Sequence, residues 1–159
     1  MTPPLGLIEG RFGRIWDAAE RSHVVRTLAA AGYGFYHYGP KADRSLRREW
    51  RKAHDLAQSE ALARLSAECR AAGMRFGMAI TPVGSTHPFD DAARADLARR
   101  IADLDAIGID DLAVLFDDLR GDMPELAQRQ ADVVNFCAGL TRATQVYTCV
   151  ALVSPAQTV

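Results

Sequence analysis

Apolar positions along the chain switch repeatedly between a period near two and a period near 3.6. Leu5 to Glu9 reads as a short strand. Asp17 then opens a helix with Glu20 three residues on, a capping-box spacing, and Val24, Val25 and Leu28 give it a buried stripe that Gly32 stops. Tyr33 to Tyr38 is aromatic and strand-like. A polar stretch follows, and Ser59 is expected to cap a second helix carrying Leu62, Leu65, Cys69 and Ala72, ended by Gly73. Arg75 to Ile80 is a third strand. Asp90 caps a third helix with Leu97, Ile101 and Leu104 on one face. Leu112 to Phe116 is nearly all apolar, as for a strand covered on both faces. Pro124 is expected in the first turn of a fourth helix striped by Val133, Cys137 and Leu140, and Gln145 to Val153 closes the pattern as a fifth strand.

The strand starts lie 28, 42, 37 and 33 residues apart, which is a βα repeat and predicts a parallel sheet with helical crossovers. Two α/β folds accommodate it. The length of 159 residues suits one doubly wound domain. A (β/α)₈ TIM barrel takes about 250 residues, so the chain would then be a partial barrel of about four and a half βα units, a single domain over 1–159.

Composition narrows the function. With 19 basic and 20 acidic residues the net charge is −1, which gives no ground for nucleic acid or an anionic membrane as partner. No apolar run approaches the roughly 20 residues of a membrane span, and the opening Met-Thr-Pro-Pro-Leu lacks signal-peptide character. Cys69, Cys137 and Cys149 fit no zinc spacing and suggest a reducing, cytoplasmic setting. No cofactor is implied.

In parallel α/β folds ligands bind beyond the carboxyl ends of the strands. Those ends carry Glu9-Gly10-Arg11, Tyr38-Gly39-Pro40-Lys41, Thr81-Pro82 and Phe116-Asp117-Asp118. Adjacent carboxylates after an apolar strand split their pKa values, leaving one acid and one anion, the division that glycoside hydrolysis uses. The same pair also reads as a solvated loop with Asp122 as a helix cap, or, with Asp122, as a hard-cation site. From Lys41 to Lys52 six basic residues face two acidic ones, either an anion-binding patch or a solvated loop-helix face around Trp50. His23, His37, His54 and His87 lack ligand spacing, and His37, inside a strand, reads as a core or rim histidine.

Three of these strand ends resemble one family. Gly6-Leu-Ile-Glu-Gly10-Arg-Phe-Gly13-Arg-Ile-Trp16, Tyr38-Gly-Pro-Lys41-Ala-Asp43 with Arg48-Glu-Trp50-Arg51, and Leu115-Phe-Asp117-Asp118-Leu-Arg-Gly-Asp122 resemble, in order, the motifs of family 84 glycoside hydrolases, the β-N-acetylglucosaminidase and O-GlcNAcase group. The resemblance runs over roughly residues 5–150 and implies the N-terminal half of a (β/α)₈ barrel. It implies a retaining, metal-free glycosidase whose nucleophile is the substrate's own acetamido oxygen, acting through an oxazoline, with the half barrel expected to be weak or inactive alone. Asp117 would orient the acetamido N–H, Asp118 would be general acid and then base, and Lys41 and the Gly10 backbone would bind sugar hydroxyls. The partner would be an N-acetylglucosamine-containing glycan or glycoconjugate.

The chain departs from the pattern at Arg11, where an aromatic is usual, at Ile15, where proline is usual, and at Cys149-Val-Ala-Leu-Val153, which lacks the family's proline and tyrosine. The competing reading is a non-catalytic scaffold or sugar-binding protein derived from the barrel. Open strand edges in half a barrel predict a homo-oligomer.

Overall fold

A computed structural model describes residues 4–82, 89–116 and 124–150. Among the described residues five strands alternate with four helices: β1 (Gly6–Glu9), α1 (Ala18–Ala30), β2 (Phe35–Tyr38), α2 (Leu56–Ala71), β3 (Arg75–Ile80), α3 (Asp91–Ile107), β4 (Asp111–Leu115), α4 (Leu126–Leu140) and β5 (Gln145–Cys149). A 3₁₀ turn, Arg44–Leu46, interrupts the long β2–α2 connection.

Every strand pair is parallel, and the spatial order is β1-β2-β3-β4-β5. A doubly wound sheet reverses direction partway, and this one does not. Right-handed crossovers in a sequential parallel sheet put every helix on the same face, the arrangement of a barrel wall. Contacts run α1 to α2, α2 to α3 and α3 to α4, as such a layer requires.

Side-chain alternation follows from this one-sided cover. Tyr36, Tyr38, Phe76, Met78, Ile80, Leu112 and Val114 point to the helices and are at most 2% exposed. They pack with Val25, Leu62, Cys69, Leu97, Ile101, Leu104, Val133 and Cys137, the stripes the periodicity picked out. Along the helix-free face one row runs His37, Gly77, Asp111. Having no Cβ, Gly77 lets His37 Nε2 reach Asp111 at 2.9 Å across the intervening strand. A Cβ there would stand 2.4 Å from the His37 ring and 2.9 Å from Asp111 Cβ. Arg75 Nε donates to the same Asp111 carboxylate at 3.0 Å, and its Nη2 donates to Tyr147 Oη at 3.0 Å, tying β5 to β3. His37 is thus a satisfied structural histidine on its Nε2 side, as its place within a strand suggested.

Several expected boundaries move. The second helix is capped by Asp55, whose carboxylate accepts from Gln58 N at 2.8 Å, and Ser59 lies within it. Its first turn was invisible to periodicity because Leu56 is 76% exposed. Pro124 precedes α4 and is not part of its first turn; the helix enters through Glu125 at φ 55°, with no side-chain cap. Leu140, expected in the buried stripe, is 44% exposed at the helix end. Trp50 is fully buried and anchors the stretch, while Arg44, Arg48, Arg51 and Lys52 around it are exposed, as a solvated loop face requires. The Asp17–Glu20 capping box and the Asp90 cap form as expected.

Candidate functional site

The described part of the carboxyl rim is formed by the residues after β1, β2 and β3 together with Phe116, which leaves β4. Register aligns Glu9 with Tyr38, Tyr38 with Met78, and Ile80 with Val114, so these ends form one continuous edge. Gly10, half-buried, follows Glu9 directly. Lys41, also half-buried, follows Pro40, and its N–H donates to the Arg11 carbonyl at 3.2 Å. The two segments proposed to hold sugar hydroxyls are therefore joined backbone to backbone. Asp117, Asp118 and Asp122 lie outside the described residues. Phe116, the residue before the pair, is fully buried, and its N–H donates to the Cys149 carbonyl at 2.8 Å.

A buried polar network underlies this rim. Glu9 is 3% exposed, although it ends a strand. Its carboxylate accepts from Arg21 Nε and Nη2 of α1 at 2.9 and 3.0 Å and from Tyr36 Oη at 2.5 Å. Such a fork holds planar, bidentate geometry and fixes where β1 ends relative to α1. Burial works against the Arg21 charge, yet Glu9 more than offsets it and the guanidinium pKa is raised. Burial, reinforced by the Glu9 hydrogen bond, raises the Tyr36 phenol. Arg21 also stacks over the Tyr38 ring, 4.8 Å from its centroid.

Tyr38 Oη donates to Asp43 Oδ2 at 2.7 Å, and this begins the second half of the network. The same oxygen accepts from Gln58 Nε2 at 3.0 Å and from His54 Nε2 at 3.2 Å, while Oδ1 accepts from Ser45 N at 2.9 Å. His54 Nδ1 lies 3.2 Å from Arg100 Nη2. A guanidinium only donates, so Nδ1 is the acceptor and Nε2 carries the proton toward Asp43. Burial alone would raise the Asp43 carboxyl. The bonds from His54 and Tyr38, with Ser45 N–H, outweigh it and hold the pKa below the usual aspartate range. Asp43 N–H also closes a turn onto the Pro40 carbonyl at 3.0 Å, and Lys41 and Ala42 form the corner of that turn. The Lys41 carbonyl in turn accepts from Arg47 Nη1 at 3.3 Å. Lys41 therefore sits on a corner whose far end is bolted to β2, α2 and α3.

Sequence reasoning named Lys41 and Gly10 but not this support. Asp43 was in a quoted motif without a role. His54 and Arg100 come from distant segments and meet only in the fold, His54 bridging Arg100 to the Asp43 carboxylate.

A family model described as beta-N-acetylglucosaminidase matches residues 5–155. Among curated proteins, the Protein O-GlcNAcase of Rattus norvegicus and that of Mus musculus are each 30% identical over 119 residues, 74% of this chain. This chain spans 13% of the length of each. Among solved structures, a mutant O-GlcNAc hydrolase of Thermobaculum terrenum superposes with a TM-score of 0.83 at 23% identity, over 92% of this chain and 34% of that one. That likeness speaks to the fold.

Proposed function

The chain belongs to the beta-N-acetylglucosaminidase family, and from that premise we propose that it serves retaining hydrolysis of β-linked N-acetylglucosamine from glycoconjugates. The observation that carries the reading is the Lys41 corner, held from below by Asp43 and joined to the Gly10–Arg11 segment, on the rim from which the chain runs on into Asp117 and Asp118.

In this reading Lys41 and the Gly10 backbone hold sugar hydroxyls. Asp117 faces the acetamido N–H. As the acetamido oxygen attacks the anomeric carbon, positive charge grows on the amide, and a fixed anion at its nitrogen stabilises that charge. Asp118 donates a proton to the leaving oxygen and then, as its conjugate base, takes one from the water that opens the oxazoline. No metal or cofactor enters these steps. A cytoplasmic location, inferred from three cysteines that match no disulfide or zinc pattern, belongs to the same proposal.

The test is turnover of aryl N-acetylglucosaminides by the protein and by Asp117→Asn and Asp118→Asn. Asp117→Asn should slow good and poor leaving groups alike. Asp118→Asn should slow poor leaving groups more, because only they need the proton, with losses on the order of 10²-fold or more. Full activity in both variants on both substrate types would refute the assignment. Sugar binding without any turnover would identify the non-catalytic reading instead.

A further inference from the structure

Two residues beyond Gly10, the β1–α1 loop carries Phe12, whose ring is 70% exposed. Among the described residues it is the one aromatic side chain left exposed. A single exposed apolar side chain is ordinary on a protein surface. This one is held at three points. Before it, Gly10 N–H donates to the Ile8 carbonyl at 2.8 Å, and the Arg11 carbonyl accepts from Lys41 N at 3.2 Å. After it, Gly13 turns the chain at φ 109°, a conformation that residues with a Cβ rarely adopt. Arg14 then forks onto the Glu20 carboxylate at 2.8 and 2.5 Å, at the capping box that opens α1.

The third point is the ring itself. The Arg47 guanidinium lies over it, 5.7 Å from the centroid, and Nη1 of the same group donates to the Lys41 carbonyl at 3.3 Å. One guanidinium therefore ties the ring to the Lys41 corner, while most of the ring's area stays open to water. Phe12 and Lys41 line the same cavity of about 390 Å³, within the size range of small-molecule sites. None of the hydrolytic steps assigned above uses this ring.

We propose that Phe12 is a stacking platform for a flat apolar face of the substrate held beside Lys41. The face of an aromatic ring is electron-rich and attracts the weakly positive C–H bonds of a pyranose, or the edge or offset face of another aromatic ring. A cation for hydroxyls with an apolar plate beside it suits a sugar, which is polar around its rim and apolar on its faces. The proposal rests on the functional reading above for the identity of the sugar, and on the exposure, anchoring and cavity of Phe12 for the stack. Two groups can supply the apolar face, the N-acetylglucosamine ring itself or the group to which it is attached.

Titration calorimetry on the full chain distinguishes them. The probes are methyl and phenyl N-acetylglucosaminides and methyl and phenyl glucosides, each carbon-linked so that no hydrolysis occurs. Phe12→Ala and Phe12→Leu should weaken binding roughly 2- to 10-fold, the scale of one aromatic contact, and Phe12→Tyr should keep it. Phe12→Leu is apolar without being flat, and at so exposed a position it should melt with the wild type. A stack on the sugar weakens methyl and phenyl probes equally, whereas a stack on the attached group weakens only the phenyl probes. Wild-type affinity of Phe12→Ala for both N-acetylglucosaminides, or full recovery of affinity in Phe12→Leu, overturns the platform. If glucosides bind the wild type as tightly as N-acetylglucosaminides and lose affinity with Phe12→Ala, the N-acetylglucosamine reading falls and the platform stands. If no probe binds, both fall.

Discussion

Asp43→Asn probes the support of the Lys41 corner without changing side-chain size. The amide has one oxygen where the carboxylate has two. Its better orientation puts that oxygen at the Oδ2 position, facing Tyr38, Gln58 and His54, and turns its NH₂ toward Ser45 N–H. The cap on the 3₁₀ turn is then lost, at about 1 kcal/mol. The other three bonds survive without a charged acceptor, and the difference between charged and neutral hydrogen bonds is about 1 kcal/mol each. The sum is about 4 kcal/mol, a large share of the roughly 5–15 kcal/mol that holds a domain folded. At this chain length it corresponds to a fall in Tm of about 8–16 °C.

The pH dependence gives an internal check on that figure. The folded pKa of Asp43 is depressed. Its stabilisation is therefore complete above the unfolded value, near 3.9, and is lost as pH falls through the folded value. The gap between wild type and Asp43→Asn should be full at pH 7 and close progressively below about pH 4. Thermal and urea unfolding across pH measure it. His54→Gln, which can donate to Asp43 and accept from Arg100, should cost less than His54→Leu, which can do neither. A pH-7 gap under 1 kcal/mol, or a gap that persists unchanged in acid, refutes the network as the anchor of this loop.

Three further outcomes follow from the geometry. Gly77→Ala should cost roughly 1–3 kcal/mol through overpacking against His37 and Asp111, whereas Gly139→Ala on α4, with nothing within 4 Å, should stabilise by roughly 0.5–1 kcal/mol; calorimetric melting reads both. Burial pushes the Cys69 and Cys137 thiols up to about 12, while Cys149 is exposed, so a thiol reagent on the native protein should titrate one cysteine quickly and the other two only on unfolding. Among the described residues β1 and β5 each keep an unpaired edge, and Leu5, Ile8 and Val150 nearby are at least 50% exposed, so light scattering should show concentration-dependent association, and a strict monomer would refute it.

The sheet was legible in the sequence because its helix-facing positions carry the period. Tyr36 and Tyr38, Phe76, Met78 and Ile80, Leu112 and Val114 are apolar at every second place and buried. The capping aspartates, Asp17 and Asp90, were legible because a cap acts within three residues. Asp55 was not, since the exposed Leu56 after it hides where the stripe begins. Strand order needed more than periodicity. Alternating elements allow an open or a closed α/β sheet, and the motif resemblance, not the spacing, favoured the barrel wall that the sequential order now displays.

The site divides along the same line. Gly10 and Lys41 could be named because strand ends and short motifs are local features. What fixes them is not local. The Asp43 carboxylate draws on Tyr38, five residues away, His54, eleven away, and Gln58, fifteen away, and His54 draws on Arg100 a further 46 along. No single partner in that set is unusual in the sequence. A histidine with no metal spacing and an arginine on a helix carry no signal in the sequence, and both are buried in the fold. A buried charge without a partner costs several kcal/mol, so burial forces the partners together once the fold is set. Motifs therefore mark the candidate site, and burial marks what holds those motifs still. For this chain the second kind of information ties β1, β2, α2 and α3 into one support beneath Lys41, and the Asp43 variants measure how firmly it holds.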